Sequence, residues 1–136
     1  MTTLNNDIIN EIRENIRTEI GRILRVNKYI SDIVVSSFDG MPIASSSNSD
    51  LEFMLAAVSA ALKGIAEKVS ATLNSGGMLK LLLEYEKEKI AVLSVNSMMN
   101  ILIRAAKDAP LGLIIHDVVV LADKIKNKLS VKGVIL

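Results

Sequence analysis

The chain has 136 residues, of which 50% are hydrophobic, 23% are charged and none is cysteine. This length suits one domain, and the composition excludes a mostly disordered chain, a disulfide scaffold and a thiolate metal site. The net charge of +1 argues against nucleic-acid binding driven by electrostatic attraction.

Membrane insertion and secretion also find no support in the sequence. The longest apolar runs, such as residues 118–122, are far shorter than the roughly 20 residues that span a bilayer. The N-terminus lacks the basic and apolar segments of a secretory signal. We therefore expect a soluble, cytoplasmic domain with no membrane span.

The N-terminal third of the chain predicts a helix followed by a β-hairpin. Isoleucines recur every three or four residues, which predicts a helix over residues 6–27. The β-branched segment 32–38 predicts a strand, and 41–45 predicts its partner. Asp39 and Gly40 between them are typical of a tight turn in which both residues tolerate positive φ.

A second helix is predicted over residues 50–73, with Ser49 and Glu52 forming a capping box at its start. The apolar stripe expected to face the core is Leu51, Leu55, Val58, Leu62, Ile65, Val69 and Leu73. A second stripe of small residues would let another helix approach closely. It consists of Ala56, Ala60 and Gly64, with Ala57 and Ala61 beside it. Alanine is also the best helix former, so this stripe alone leaves a helix–helix contact open.

The C-terminal half predicts three strands and a final helix. The segment Asn74-Ser75-Gly76-Gly77 ends the second helix, with glycine available for a left-handed cap. The elements that follow are strands over 78–86, 89–96 and 100–106 and a helix over 109–129. In the first of these strands Leu79, Leu81 and Leu83 share one face.

These elements together predict an α+β fold in the order helix–β–β–helix–β–β–β–helix. We expect one domain over residues 1–136 with a five-stranded antiparallel sheet. The middle helix should cover one face of the sheet, and the first and last helices the other. An apolar tail at 131–136 ends the chain.

The residues give little support for catalysis. The sequence has no P-loop, G-x-S-x-G or H-E-x-x-H motif. A hydrolase could be imagined from Ser36 or Ser37 with Asp39 and His116, but serines beside a turn and a helical histidine are ordinary surface features. We predict no catalytic residue, no cofactor and no metal site, and expect a protein that contacts other proteins.

Two segments resemble characteristic parts of Roadblock (dynein light-chain) domains. The sequence IVVSSFDGMPIAS at 33–45 resembles the first hairpin of that family, and APLGLI at 109–114 resembles the entry into its last helix. The Gly76–Gly77 link and the three strands lie between them in the expected order, so the resemblance covers about residues 5–129.

This resemblance implies a non-enzymatic dimer that binds a small Ras-like GTPase or a scaffold complex. In such domains the middle helix and the following strand meet their symmetry mates, in a homodimer or in a heterodimer with a paralogue. The residues placed at that interface are Ala56, Ala57, Ala60, Gly64, Leu79, Leu81 and Leu83. Nothing identifies Arg104 as a transition-state arginine, so any stimulation of GTP hydrolysis would act by ordering the switch loops of the GTPase.

A small-ligand sensor of the PAS or GAF type is the main alternative. Such domains also wrap helices around an antiparallel sheet, but they need a pocket of roughly 300 Å³ or more. The dense aliphatic content favours a filled core instead.

Overall fold

The computed structural model describes residues 6–131, and within them three helices and five strands follow one another in the predicted order. The elements are α1 (Asn6–Val26), β1 (Ile30–Ser37), β2 (Pro42–Ser45), α2 (Ser49–Leu73), β3 (Lys80–Glu84), β4 (Glu88–Ser94), β5 (Met99–Ala106) and α3 (Leu111–Val131). The α+β prediction is confirmed. The tail predicted at 131–136 lies outside the described residues, apart from the backbone of Val131.

The five strands form one sheet in the order β2-β1-β5-β4-β3, and every neighbouring pair is antiparallel. β5 lies at the centre, where Leu102 is the register partner of both Val34 and Val92. The predicted meander of the last three strands is confirmed. β2 and β3 form the two edges of the sheet.

The helices cover the two faces of the sheet as the sequence predicts. α1 and α3 pack on one face, where a large core includes Ile16, Ile20, Leu121 and Ile125, each at most 2% exposed. Because fully burying one such side chain contributes about 1.5–3 kcal/mol, this layer holds most of the hydrophobic stabilisation. α2 covers the other face over a much smaller core: Val34, Leu55, Ala56, Val92 and Leu102.

The β1–β2 hairpin differs in detail from the predicted turn. Gly40 has φ +91°, but Asp39 is not left-handed. Ser37 N–H donates to the Met41 carbonyl at 2.8 Å, and Gly40 N–H donates to the Ser37 carbonyl at 3.1 Å. Ser37 and Met41 thus close a loop of three residues, 38–40, instead of the two-residue turn that was expected, and in such a loop only the last residue is left-handed. The expectation of positive φ is confirmed for Gly40 and wrong for Asp39.

The start of α2 also corrects a prediction. Asn48 is the N-cap, and its side-chain oxygen accepts a hydrogen bond from Leu51 N–H at 3.0 Å. Glu52 accepts from Ser45 Oγ at 2.7 Å instead of closing a capping box with Ser49. The cap lies one residue earlier than predicted because asparagine fills this role as well as serine does.

We expect Asn48→Ala to lower the free energy of unfolding by about 1 kcal/mol, since it deletes the acceptor for an N-terminal amide of α2. Ser49→Ala is the matched control and should change it by less than about 0.5 kcal/mol. Urea denaturation followed by circular dichroism measures both. A larger loss for Ser49→Ala would contradict this assignment of the cap.

The end of α2 is set by asparagine as well. Asn74 is left-handed, with φ 55° and ψ 49°, and its N–H donates to the Ser70 carbonyl. Gly76 takes φ +84° in the loop that follows, whereas Gly77 is not left-handed. The predicted glycine cap is therefore wrong, although Gly76 does supply a left-handed turn.

Candidate docking face

α2 carries its apolar residues mostly on the side that faces away from the sheet. It buries Leu55, Ala56, Ser59 and Lys63, of which two are polar. An apolar row faces outward and is called here the outer stripe: Met54, Val58, Ala61, Ile65, Val69 and Leu73. The prediction that Val58, Ile65, Val69 and Leu73 face the core is therefore wrong.

The helix is apolar on more than one side, which explains that error. A sheet covers one face of a helix, so hydrophobic spacing alone does not decide which apolar face is buried. Ile65 and Leu73 are 64% and 69% exposed, values unusual for such large side chains in a row. A continuous exposed apolar patch of this kind marks an interaction surface.

β3 extends this apolar surface along the edge of the sheet. Within residues 6–131 it pairs with β4 on one side, and no strand pairs with its other side. Leu79 lies just before the strand and is 82% exposed, while Leu81 and Leu83 are half-buried. Leu81 packs into the core beneath α2, which places it on the same side of the sheet as the outer stripe.

A shallow depression of about 320 Å³ lies at the C-terminal half of α2. Its lining residues are Ile65, Lys68, Val69, Thr72 and Leu73. The depression opens on the outside of the helix, whereas a sensor of the PAS type would hold its ligand between helix and sheet. The exposed surface of this lining is nearly all apolar, because the polar atoms of Lys68 and Thr72 contribute little to it, and such a surface suits a protein side chain better than a polar metabolite.

The predicted interface residues of α2 do not all reach this surface. Ala57 and Gly64 are exposed, and Ala60 is half-buried. Ala56 is 0% exposed and packs on the sheet of its own chain, so it leaves the predicted interface.

The β1–β2 turn accounts for part of the small-residue stripe. A Cβ placed on Gly40 would lie 3.4 Å from Ala60 Cβ and 3.6 Å from Ala57 Cα. The close approach that the small residues allow is thus made by a hairpin of the same chain. No atom of the described residues lies within 4 Å of a Cβ built on Gly64, so its surface stays open in that part of the chain.

An ion cluster lies on the α2 side of the sheet. Arg104 donates to both carboxylate oxygens of Glu88, at 2.8 and 3.1 Å, and to Asp32 at 3.3 Å. The hydrogen bond from Arg104 lowers the pKa of Glu88, against the smaller effect of burial. The same bond raises the pKa of Arg104. Arg104 is therefore held by its own chain.

We expect Glu88→Gln to lower the free energy of unfolding at pH 7 by about 0.5–1 kcal/mol, since the pair is partly exposed. The folded-state pKa of Glu88 lies below its ordinary value of 4.5. The stabilisation is therefore present above that value and is lost as pH falls through the folded pKa. Denaturation from pH 7 to pH 3 should show the variant and the wild type converging. The exposed Glu86→Gln is the control, and a difference for Glu88→Gln that does not change with pH would contradict the assignment.

The hydrolase alternative is not supported by the placement of its residues. Ser36 is fully buried on the α2 side of the sheet, and His116 is exposed on α3, which covers the opposite face. Ser37 Oγ hydrogen-bonds Asp39 within the hairpin loop. Among residues 6–131 no group of three histidine or carboxylate side chains is placed to hold a metal ion. None of the helices in that part of the chain combines the length and the apolar composition that a membrane-spanning segment needs.

Comparison with known proteins finds one family and several solved structures. The family model described as Roadblock/LC7 domain matches residues 21–105. None of the curated protein sequences matches the chain.

The similar structures share the fold at low sequence identity. A Roadblock/LC7 domain from Streptomyces avermitilis has a TM-score of 0.80 at 14% identity, covering 84% of this chain and 97% of the other. Myxococcus xanthus MglB has a TM-score of 0.72 at 11% identity, covering 100% and 98%. An MglB structure described as a tetrameric arrangement has a TM-score of 0.66 at 13% identity, covering 94% and 92%. These likenesses confirm the fold that the two sequence segments suggested.

Proposed function

Because this chain belongs to the Roadblock/LC7 domain family, we propose that it is a dimeric adaptor that binds a small Ras-like GTPase or a scaffold complex. The observation that supports the proposal most is the outer stripe of α2 together with the exposed Leu79 and the half-buried Leu81 and Leu83 at the edge of the sheet. The adaptor is not itself an enzyme, and it acts in the cytoplasm.

The proposed dimer joins two copies through α2 and β3. A two-fold contact needs a self-complementary surface, and two outer stripes can pack against each other apolar to apolar. The outer side of β3 presents backbone N–H and C=O groups that a second β3 can bond, which removes an otherwise exposed edge. The interface then consists of Ala57, Ala60, Gly64, Leu79, Leu81 and Leu83, with the outer stripe added and Ala56 removed. One MglB structure is a tetrameric arrangement, which fits a fold that assembles.

The proposed role toward a GTPase is to order its switch loops. Arg104 is engaged with Glu88 and Asp32 of its own chain, so it is poorly placed to reach a bound nucleotide. Any faster hydrolysis would come from positioning groups that the GTPase itself supplies. A heterodimer with a paralogue would use the same surfaces.

The proposal is tested by binding to the Ras-like GTPases of the same organism, each loaded with GDP or with a non-hydrolysable GTP analogue. We expect at least one GTPase to bind, with a preference for one nucleotide state, and GTP turnover measured alongside shows whether hydrolysis changes. Val119→Asp, on the opposite side of the molecule, is the control and should bind as the wild type does. If no GTPase binds in either nucleotide state, the GTPase part of the proposal is contradicted. The dimer is tested separately, by measuring the mass of the protein in solution.

A further inference from the structure

Polar side chains form a band between α2 and the sheet, where an apolar core would be expected. Three of them lie side by side on neighbouring strands: Asn100 of β5 is the register partner of Ser36 in β1 and of Ser94 in β4. Side chains alternate between the faces of a strand. Since Leu102 packs beneath α2, Asn100 two residues earlier faces the same helix.

α2 completes this band from above. Ser59 and Lys63 lie one turn apart on its buried side and are 0% and 6% exposed. Lys63 Nζ donates to the Asn96 carbonyl at 3.5 Å, and Ser94 Oγ donates to the same carbonyl at 3.1 Å. These shared contacts connect the helix to the strands. We call the group the polar seat: Ser36, Ser59, Lys63, Ser94, Asn96 and Asn100.

Much of the hydrogen-bonding capacity of the polar seat is unmet by the residues that the structure describes. Five buried side-chain atoms have no hydrogen-bond partner among residues 6–131: Ser36 Oγ, Ser59 Oγ, Asn96 Nδ2, and both Nδ2 and Oδ1 of Asn100. Buried polar groups in folded proteins are almost always bonded, either to protein or to ordered water. An asparagine with neither end of its amide bonded is therefore a strong indication of a bound molecule.

We infer that the polar seat is a buried hydration site. A buried water makes about three hydrogen bonds, so about two waters suffice for the five atoms. The side chains supply both donors and acceptors, as water requires: hydroxyls do both, and an amide offers each kind at its two ends. These waters bridge α2 to β1 and β5.

The hydration site has a consequence for the docking face. Apolar burial alone would favour turning the outer stripe of α2 toward the sheet, because the side now buried carries Ser59 and Lys63. Water-mediated hydrogen bonds to the polar side chains of the strands stabilise the observed rotation of α2 about its own axis. Other rotations would break these hydrogen bonds and are therefore less stable. The polar seat therefore holds the outer stripe outward. This last step rests on the proposed function, but the hydration site itself does not.

Nuclear magnetic resonance on the full chain tests the hydration site directly. We expect the side-chain amide protons of Asn100 and Asn96 to show cross-relaxation with long-lived water, in a spectrum that separates it from chemical exchange. The Asn100→Leu variant should lose the water signal at Asn96. Ser130→Ala removes an exposed hydroxyl on α3 and should leave both signals unchanged. Absence of long-lived water at both asparagines in the wild type would overturn the inference.

A high-resolution crystal structure gives a second, independent readout. We expect at least two ordered waters, each bonded to two or more atoms of the polar seat. Direct hydrogen bonds among Ser36, Ser59 and Asn100 with no water between them would overturn the inference. Anomalous density at Lys63 after a bromide soak would overturn it too, since it would mean that the site holds an anion.

Hydrogen exchange separates the role in orienting α2 from the dimer itself. We expect Asn100→Leu to speed the exchange of α2 amides by roughly tenfold relative to those of α1. Sedimentation of the same sample reports the oligomeric state. Unchanged exchange would contradict the orienting role, whereas a monomeric wild type would contradict the proposed dimer and leave the hydration site standing.

Discussion

The Ile65→Asp variant should be a folded monomer. Ile65 is 64% exposed in the single chain, so aspartate costs the fold of one copy little. In the proposed dimer the same carboxylate is buried without a partner, which costs about 3 kcal/mol or more. That loss weakens association by about 100-fold. Light scattering coupled to size exclusion measures the mass, and circular dichroism checks the fold.

Leu79→Asp extends the same test to β3, since Leu79 is 82% exposed. Two other positions are less suitable because Ala60 touches the Gly40 turn and Leu81 packs into its own core, so a charge there would also disturb one copy. The control is Val119→Asp, an exposed apolar position on α3, which should keep the wild-type mass. An Ile65→Asp protein that keeps the mass of the wild-type dimer would contradict the placement of the interface.

The second large effect is expected at the hairpin turn. Gly40→Val should lower the free energy of unfolding by about 3 kcal/mol, since two costs add. A β-branched residue at φ +91° is strained by about 1–2 kcal/mol, and methyl groups beyond Cβ meet Ala57 and Ala60, which overpacks the contact by a further 1–3 kcal/mol.

Gly76→Val is the matched control for that experiment. Gly76 has a similar φ of +84°, but among residues 6–131 no atom lies within 4 Å of a Cβ built on it. Gly76→Val therefore reports the backbone strain alone. Urea denaturation measures the loss in the free energy of unfolding for both variants, and the difference between the two losses is the cost of overpacking the contact with α2. Equal losses in the free energy of unfolding for the two variants would contradict a tight packing contact between the hairpin turn and α2.

The sequence predicts elements best where a helix has one apolar face. α1 follows its isoleucines closely, and Ile12, Ile16, Ile20 and Ile23 are all buried. Apolar spacing does not predict the buried face of α2, because this helix is apolar on several sides and buries Ser59 and Lys63. Its rotation depends on what lies beneath it, and local spacing does not contain that information.

The parts of the site that escaped prediction depend on register and close approach. Asn100 meets Ser36 and Ser94 only because β1, β5 and β4 pair in one alignment. The position of Gly40 over Ala60 depends likewise on how the hairpin folds back. Alternation alone predicts that Leu79, Leu81 and Leu83 share one face of their strand, and that strand lies at an edge of the sheet. Only the family resemblance places these leucines at an interface between copies.

Contacts between copies test the central claim most directly. In a sample mixing isotope-labelled and unlabelled chains, magnetisation transfer observed between the two kinds reports intermolecular contact alone. We expect such transfer from the methyl groups of Ile65, Val69 and Leu79 and none from those of Val119. Absence of any transfer, with a solution mass equal to the 14.8 kDa of one chain, would contradict the account.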